Sequence, residues 1–404
     1  MKSIQQHILI LNGGSSSIKF ALYNTDKKLE NVLSGQISRI GLDNPEFTVT
    51  HKPSNKKTQI TIDSTNFKEA AEGLVEWLKE QNYTDGIKCV GHRIVHGMEH
   101  SRPEIIDEHL LTELHKIMEY DPDHLPAEIE MIALFKKQFP HFVQVACFDT
   151  SFHTTMPKYA KTFAIPKKYY NQGVKRYGFH GISYSYLMKE LKTQNRAEAD
   201  GKIILAHLGN GASLAAVKKG KCVDTSMGFT PTGGVVMSTR SGDLDPGVAW
   251  YLMQQGIDAE EFNDVINHQS GLLGISGYSS DMQDLLEHQK SNKDAALAIE
   301  IFCYQIKKTI GAYTATLNGL DVLVFSGGIG ENAPLIRKRI CQGFDYLGIE
   351  LDAGKNRKNK RIISTKNSKV KVYVIPTDEE IMMAALTAKL YQSSKEDQIN
   401  IEEQ

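Results

Sequence analysis

No stretch of this 404-residue chain approaches the run of about 20 apolar residues that crosses a bilayer. The opening MKSIQQHILIL is broken by polar residues and lacks a signal-peptide cleavage pattern. Neither sign of charge is in excess. Lys and Arg number 47 against 48 Asp and Glu, so no global basic field draws the chain to nucleic acid or to an anionic membrane. An anionic ligand must therefore be held by locally placed cations. The five cysteines (Cys89, Cys147, Cys222, Cys303 and Cys341) are odd in number, scattered, and never in C-x-x-C spacing. They read as reduced thiols, mostly in the core of a cytoplasmic protein. No His/Cys spacing suggests zinc, and no Ser–His–Asp order stands out. No G-K-[ST] opens a helix as in a Walker A loop, and no glycine fingerprint leads into a helix as in dinucleotide folds.

What is present is an echo. HILILNGGSSSIKFALYN, residues 7–24, returns as IILAHLGNGASLAAVKKG, residues 203–220. Placing Gly13 on Gly209 also places Ser17 on Ser213 and Ile18 on Leu214, an offset of 209 − 13 = 196 residues. Both copies are an apolar run, a turn of small residues and a second apolar run. Two such hairpins can present backbone N–H groups and hydroxyls to one anion. The length allows two or three domains, and the duplication points to two related ones.

Along the chain, periodicity predicts strands within 35–62, a helix over 66–81 capped by Asn66, and a buried strand Ile87–Val95. Helices near 106–119 and 127–138 precede the apolar run Val143–Phe148. After the second hairpin come a Gly-rich stretch (225–247), a helical region (246–268), and a Gly/Ser loop (270–281). A long helix (293–318) leads to the strand 322–325, which a third small-residue loop, Ser326–Asn332, follows. A strand at 371–376 leads into a helix from Glu379 to about Gln392 and a frayed polar tail. The basic run 355–360 reads as a solvated loop. Strands and helices in this order fit a duplicated α/β sandwich.

The polar signals suit phosphoryl transfer, which needs positive charge on equatorial oxygens, a metal clamp and a placed nucleophile. Candidate cations are Arg93 in GHRIVHG, His180 in RYGFHG and Arg240 in STRSGDLDP. Candidate metal-facing carboxylates are Asp149, ending VACFD, and Glu379 and Glu380 in PTDEE. Each has a structural alternative, as a salt-bridge partner or an interior histidine, and Asp243 or Asp245 can cap a helix opening at Pro246.

Ten segments together resemble the acetate and propionate kinases of the actin and sugar-kinase superfamily. They include LNGGSSSIKF, VGHRIVHG, FDTSFHTTMP, RYGFHGIS, HLGNGASLAAV, TRSGDLDP, SGGIGEN and PTDEE, in the family's order and across nearly the whole chain. The resemblance implies a duplicated actin-like, ribonuclease H-like, two-domain ATPase fold with a central cleft. It divides the chain into residues 1–150 with 380–404, and 151–379 carrying the nucleotide site. It implies reversible, direct transfer of the ATP γ-phosphoryl group to acetate or a similar short acid, with Mg²⁺ (or Mn²⁺) as cofactor, in a cytoplasmic homodimer. By motif, Arg93 and Arg240 would bind the carboxylate and His180 the group in flight, with His124 as a helper. Asp149, Glu379 and Asn12 would position the metal, and Ser15, Ser17 and Lys19 would line the first phosphate loop. His207, Gly209, Asn210 and Gly211 would form the second loop. Asp281, Met282, Gln283, Gly328, Ile329 and Asn332 would surround the adenosine, while Val95, Phe179 and Pro231 would wall the acid's alkyl group.

The chain also departs from the family pattern. PLHNPAN reads PDHLPAE, placing Asp123 for an apolar residue and Leu125 for an asparagine. The second histidine of GFHGTSH is Tyr184, and the usual arginine after S-x-D-M is Gln283. These departures bear on acid selectivity and nucleotide preference. They leave open a different short acid, another phosphoryl donor, or a weakened ATP-binding relative with a regulatory role.

Overall fold

The computed structural model describes residues 6–14, 17–25, 28–42, 44–52 and 54–402. The chain forms two compact units, Met1–Ser151 with Asp378–Gln404, and Phe152–Thr377.

The first unit is built on an eight-stranded sheet. Its strands are β1 (His7–Gly14), β2 (Ser17–Asn24), β3 (Asn31–Ser38), β4 (Glu46–His51), β5 (Lys56–Ile60), β6 (Ile87–Ile94), β7 (Glu104–Ile105) and β8 (Val143–Phe148). They lie in the order β5-β4-β3-β2-β1-β6-β8-β7. β1 reads as a continuous apolar run because both its faces are covered. On one face, Leu9 and Leu11 pack with Leu74 and Phe135 of the helices Phe67–Glu80 and Leu125–Gln138. On the other, a Cβ at Gly91 would fall 2.4 Å from Thr387 Oγ1 and 2.8 Å from Ile10 Cδ1, so the C-terminal helix Glu379–Glu402 lies directly on β6. That close approach requires glycine at position 91.

The second unit holds a five-stranded sheet of β9 (Lys202–Leu208), β10 (Ala212–Lys218), β11 (Lys221–Thr225), β12 (Val322–Ser326) and β13 (Lys371–Val374), ordered β11-β10-β9-β12-β13. β9 pairs antiparallel with β10 and parallel with β12, as β1 pairs antiparallel with β2 and parallel with β6. Shifted by 196, β1 becomes 203–210 against the observed Lys202–Leu208. The sequence echo is thus a repeat of topology. Helix Gly181–Gln194 covers one face through Tyr184, Leu187 and Leu191. The 25-residue helix Lys293–Leu317 packs against β9 and β10 as well.

Several local expectations change. Residues 246–268 form two helices, Pro246–Gln254 and Ala259–His268, because Gly256 between them takes a left-handed φ of 95°. The 270–281 stretch contains the short helix Gly271–Ser276, and the basic run begins inside the helix Ala353–Arg357, capped by Asp352. Ser326–Asn332 is also not a loop. Residues Gly327–Asn332 are helical, with Gly327 at φ 76°, where a Cβ would sit 2.7 Å from the Leu208 carbonyl oxygen. Only glycine opens a helix that close to a strand end. The helix extends past Gln392 to Glu402. Asn66 caps its helix as expected, its Oδ1 accepting from Glu69 N at 3.0 Å.

Candidate active site

Within the first unit, the ends of parallel strands β1, β6 and β8 bring Asn12, Arg93 and Asp149 together. Arg93 donates through Nε (3.1 Å) and Nη2 (2.5 Å) to Asp149 Oδ2, and through Nη1 (3.3 Å) to Asn12 Oδ1. Asp149 is wholly buried, whereas the Arg93 side chain keeps 16% exposure. Burial opposes the Arg93 charge, but Asp149, Glu379 and Glu128 outweigh it and hold the guanidinium firmly protonated. Glu379 opens the C-terminal helix. Burial pushes its carboxyl up to about 7, Arg93 and Lys19 opposing and Asp149 and Glu380 adding to the rise.

A divalent cation fits the donors here. Among the described residues, Asp149 Oδ1 is a buried carboxylate oxygen with no hydrogen-bond partner. No cluster of three or more His, Cys, Asp or Glu side chains is set to hold a metal by itself among the described residues. One or two carboxylates suffice for a divalent cation that completes its shell with phosphates and water. Ser17 and Lys19 stand on β2, with Lys19 paired to Asn12 across the hairpin, while Ser15 lies outside the described residues. His124 stands at the N-cap position of the helix Leu125–Gln138, and its side chain bonds Asp121 through Nδ1 at 2.8 Å. Beneath Val95, the buried Glu128 accepts the Val95 N–H on both carboxylate oxygens, at 3.2 and 3.1 Å. Burial drives its pKa well above the usual carboxylate range, with Arg93 opposing. Sequence reasoning missed Glu128, although its signal was present as a charged residue among the apolar positions of that helix.

In the second unit, the turn between β9 and β10 gathers a second group. A Cβ on Gly211 would lie 3.1 Å from His180 Nε2 and 3.6 Å from Arg240 Nη1. A Cβ on Gly209 would lie 3.8 Å from His207 Nε2 and 3.8 Å from Gly328 N, so this turn also meets the start of Gly327–Asn332. His180 holds the left-handed φ of 57° as N-cap of Gly181–Gln194, a costly backbone of the kind stored at working sites. Arg240 Nη1 donates to the Pro231 carbonyl oxygen at 3.3 Å. Asn210 is exposed at the turn. Gly328 has open space where a Cβ would project, Ile329 is half-buried, and Asn332 Nδ2 donates to the Gly328 carbonyl oxygen. Asp281 caps the helix Met282–His288 by accepting Gln283 N–H; Met282 is buried, and Gln283 reaches Glu287 on the surface. Phe179 and Pro231 are buried in this unit, while Val95 belongs to the first. Glu331, which sequence reasoning also passed over, accepts Gly327 N–H (2.9 Å) and Thr377 N–H (3.0 Å), tying the short helix to the chain after β13.

The acetokinase family matches this chain over residues 7–385. The chain belongs to the acetokinase family. Acetokinase-family relatives include the acetate kinase of Thermoanaerobacterium thermosaccharolyticum, 44% identical over 96% of this chain and 100% of that protein. Among solved structures, the acetate kinase of Porphyromonas gingivalis is 38% identical with a TM-score of 0.86, covering 95% of this chain and 99% of that one. A propionate kinase from Francisella tularensis is likewise 38% identical, with a TM-score of 0.89 over 95% of this chain and 99% of its own. These structures carry the duplicated actin-like fold expected from the sequence. No helix among the described residues is long and apolar enough to cross a membrane.

Proposed function

We propose that this protein transfers the γ-phosphoryl group of ATP reversibly to acetate or a similar short carboxylate, giving an acyl phosphate and ADP. A carboxylate is already a nucleophile at neutral pH, so the chemistry needs no general base. The obstacle is bringing two anions together. Arg93 answers it with a guanidinium kept charged by its neighbours, and Arg240 with a second cation beside the glycine turn. His180 donates from Nε2 to the phosphoryl oxygens, while Gly209, Asn210 and Gly211 let nucleotide phosphates approach the backbone. Asn12, Asp149 and Glu379 would hold Mg²⁺, which when bound neutralises charge on the nucleotide phosphates. The observation that carries this reading is the convergence of His180 Nε2 and Arg240 Nη1 on the empty Cβ position of Gly211, an anion seat between a cation and a ring donor.

A cytoplasmic location would give the protein its substrate ATP. A second copy of the chain is its partner, seated on helix Pro246–Gln254. That helix buries none of its residues and leaves Trp250 68% and Tyr251 61% exposed, an apolar surface that a homodimer would cover.

A hydroxamate trap tests the activity, with ATP and Mg²⁺ against formate, acetate, propionate and butyrate. Acetyl or propionyl hydroxamate is expected. No hydroxamate from any acid would sink the proposal, and the rank of the acids assigns the substrate between the two kinase types.

A further inference from the structure

Two imidazoles of the second unit lie stacked, His180 on His207, with centroids 4.4 Å apart and planes 23° from parallel. Each turns Nδ1 onto a serine hydroxyl at 2.8 Å, His180 to Ser213 and His207 to Ser183. Each serine meets a second hydroxyl, Ser213 that of Tyr184 and Ser183 that of Thr377. Ser183, Tyr184 and Ser213 are wholly buried. In that low-dielectric interior, a proton pointing the wrong way is costly.

A hydroxyl carries one proton, so Ser213 cannot donate to Tyr184 and to His180 at once. A phenol, with a pKa of about 10, is a much stronger acid than an alkyl alcohol and is the better donor. Tyr184 therefore donates to Ser213 Oγ, and the Ser213 proton goes to His180 Nδ1. With Nδ1 accepting, the neutral ring carries its proton on Nε2, the edge beside Gly211. The opposite order would aim an Nε2 lone pair at phosphoryl oxygens, lone pair against lone pair.

We propose that Tyr184 is a positioning residue which, through Ser213, holds His180 in the Nε2–H tautomer that donates to the transferring phosphoryl group. This rests on the role given to His180 above.

The test uses the full chain labelled with ¹⁵N-histidine, with the His180 ring signals assigned by their loss in His180→Gln. The wild type is expected to show the Nε2–H pattern. Tyr184→Phe, which removes one oxygen, is expected to bring in the Nδ1–H form and to lower kcat about fivefold, the worth of one net hydrogen bond. The KM values and the His207 signals should stay in place. Ser213→Ala should act in the same direction, the double variant should be no worse than Ser213→Ala alone, and Tyr184→His should restore both tautomer and kcat. A purely structural role would instead lower thermal stability and disturb His207, with no tautomer change. An Nδ1–H wild type, or a Tyr184→Phe protein with unchanged His180 signals, overturns the proposal. Failure of the underlying role is separate: a His180→Ala protein of undiminished kcat removes His180 from the transfer, whatever its tautomer.

Discussion

Replacing Gly211 by alanine puts one methyl group where the account places the transferring phosphoryl group. Gly211 lies outside the left-handed region, so alanine can adopt its backbone. The new Cβ would stand 3.1 Å from His180 Nε2, 3.3 Å from Cε1 and 3.6 Å from Arg240 Nη1. Ordinary contacts between such atoms begin near 3.5 Å, so the ring must retreat by about 0.5 Å. It has little freedom to do so, being tied to Ser213 at 2.8 Å and stacked on His207 at 4.4 Å. Misplacement of about 1 Å in a catalytic array costs roughly a hundredfold, so half that shift predicts a fall in kcat of about tenfold. Stability should barely move, because the ~0.4–1 kcal/mol that alanine takes from unfolded-state entropy offsets the local strain. Steady-state kinetics and calorimetry on the same preparation read both quantities. Gly311→Ala is the control. It lies inside helix Lys293–Leu317 with nothing near its Cβ position, and should gain up to about 1 kcal/mol with kcat unchanged. A Gly211→Ala protein with wild-type kcat would refute the placement of the phosphoryl group.

Gly328→Ala adds a methyl group in open space inside a helix, so it should not lower thermal stability and should raise the KM for ATP several-fold; an unchanged KM would remove this residue from the nucleotide site. Metal-free protein should respond to pH through Glu379. Its folded pKa of about 7 lies above the unfolded value, so the folded state binds the proton more tightly. That contribution to stability is complete below the unfolded pKa and is lost as pH rises through about 7. Glu379→Gln should flatten this part of the profile in EDTA, and identical wild-type and variant profiles would contradict the assignment. Trp250→Glu should convert a dimer into a monomer in sedimentation velocity, whereas a wild type that sediments as a monomer would rule out the homodimer.

Much of this architecture is legible in the sequence, because period and duplication are local signals. The repeat at 196 residues fixes two hairpins in sequence, and both are followed in space by a parallel partner strand. The short helix Gly327–Asn332 is not legible, since six residues, three of them glycine, are too few to carry an amphipathic period and the element depends on Gly327 fitting under Leu208. The gathering of His180, Arg240 and Gly211 is also hidden, because a turn, a left-handed helix cap and a distant loop share no spacing rule. Arg93 and Asp149 could be named from their motifs, but their pairing arises from the register of β6 with β8, which puts Arg93 beside Cys147. Glu128 showed only as a charged residue on the apolar face of its helix, while Glu331 and the hydroxyl pairs behind the histidines act through other residues, and such roles leave no pattern in a single sequence.

Phosphoryl transfer between a carboxylate and ADP shows most plainly in the reverse direction. Wild-type protein and Arg240→Ala are incubated with ADP, acetyl phosphate and Mg²⁺, and ATP is followed by a coupled assay. The wild type is expected to form ATP only with all three additions, and Arg240→Ala to lose most of the turnover while still binding ADP. A wild type that makes no ATP from acetyl or propionyl phosphate, or an Arg240→Ala protein as fast as wild type, would contradict it.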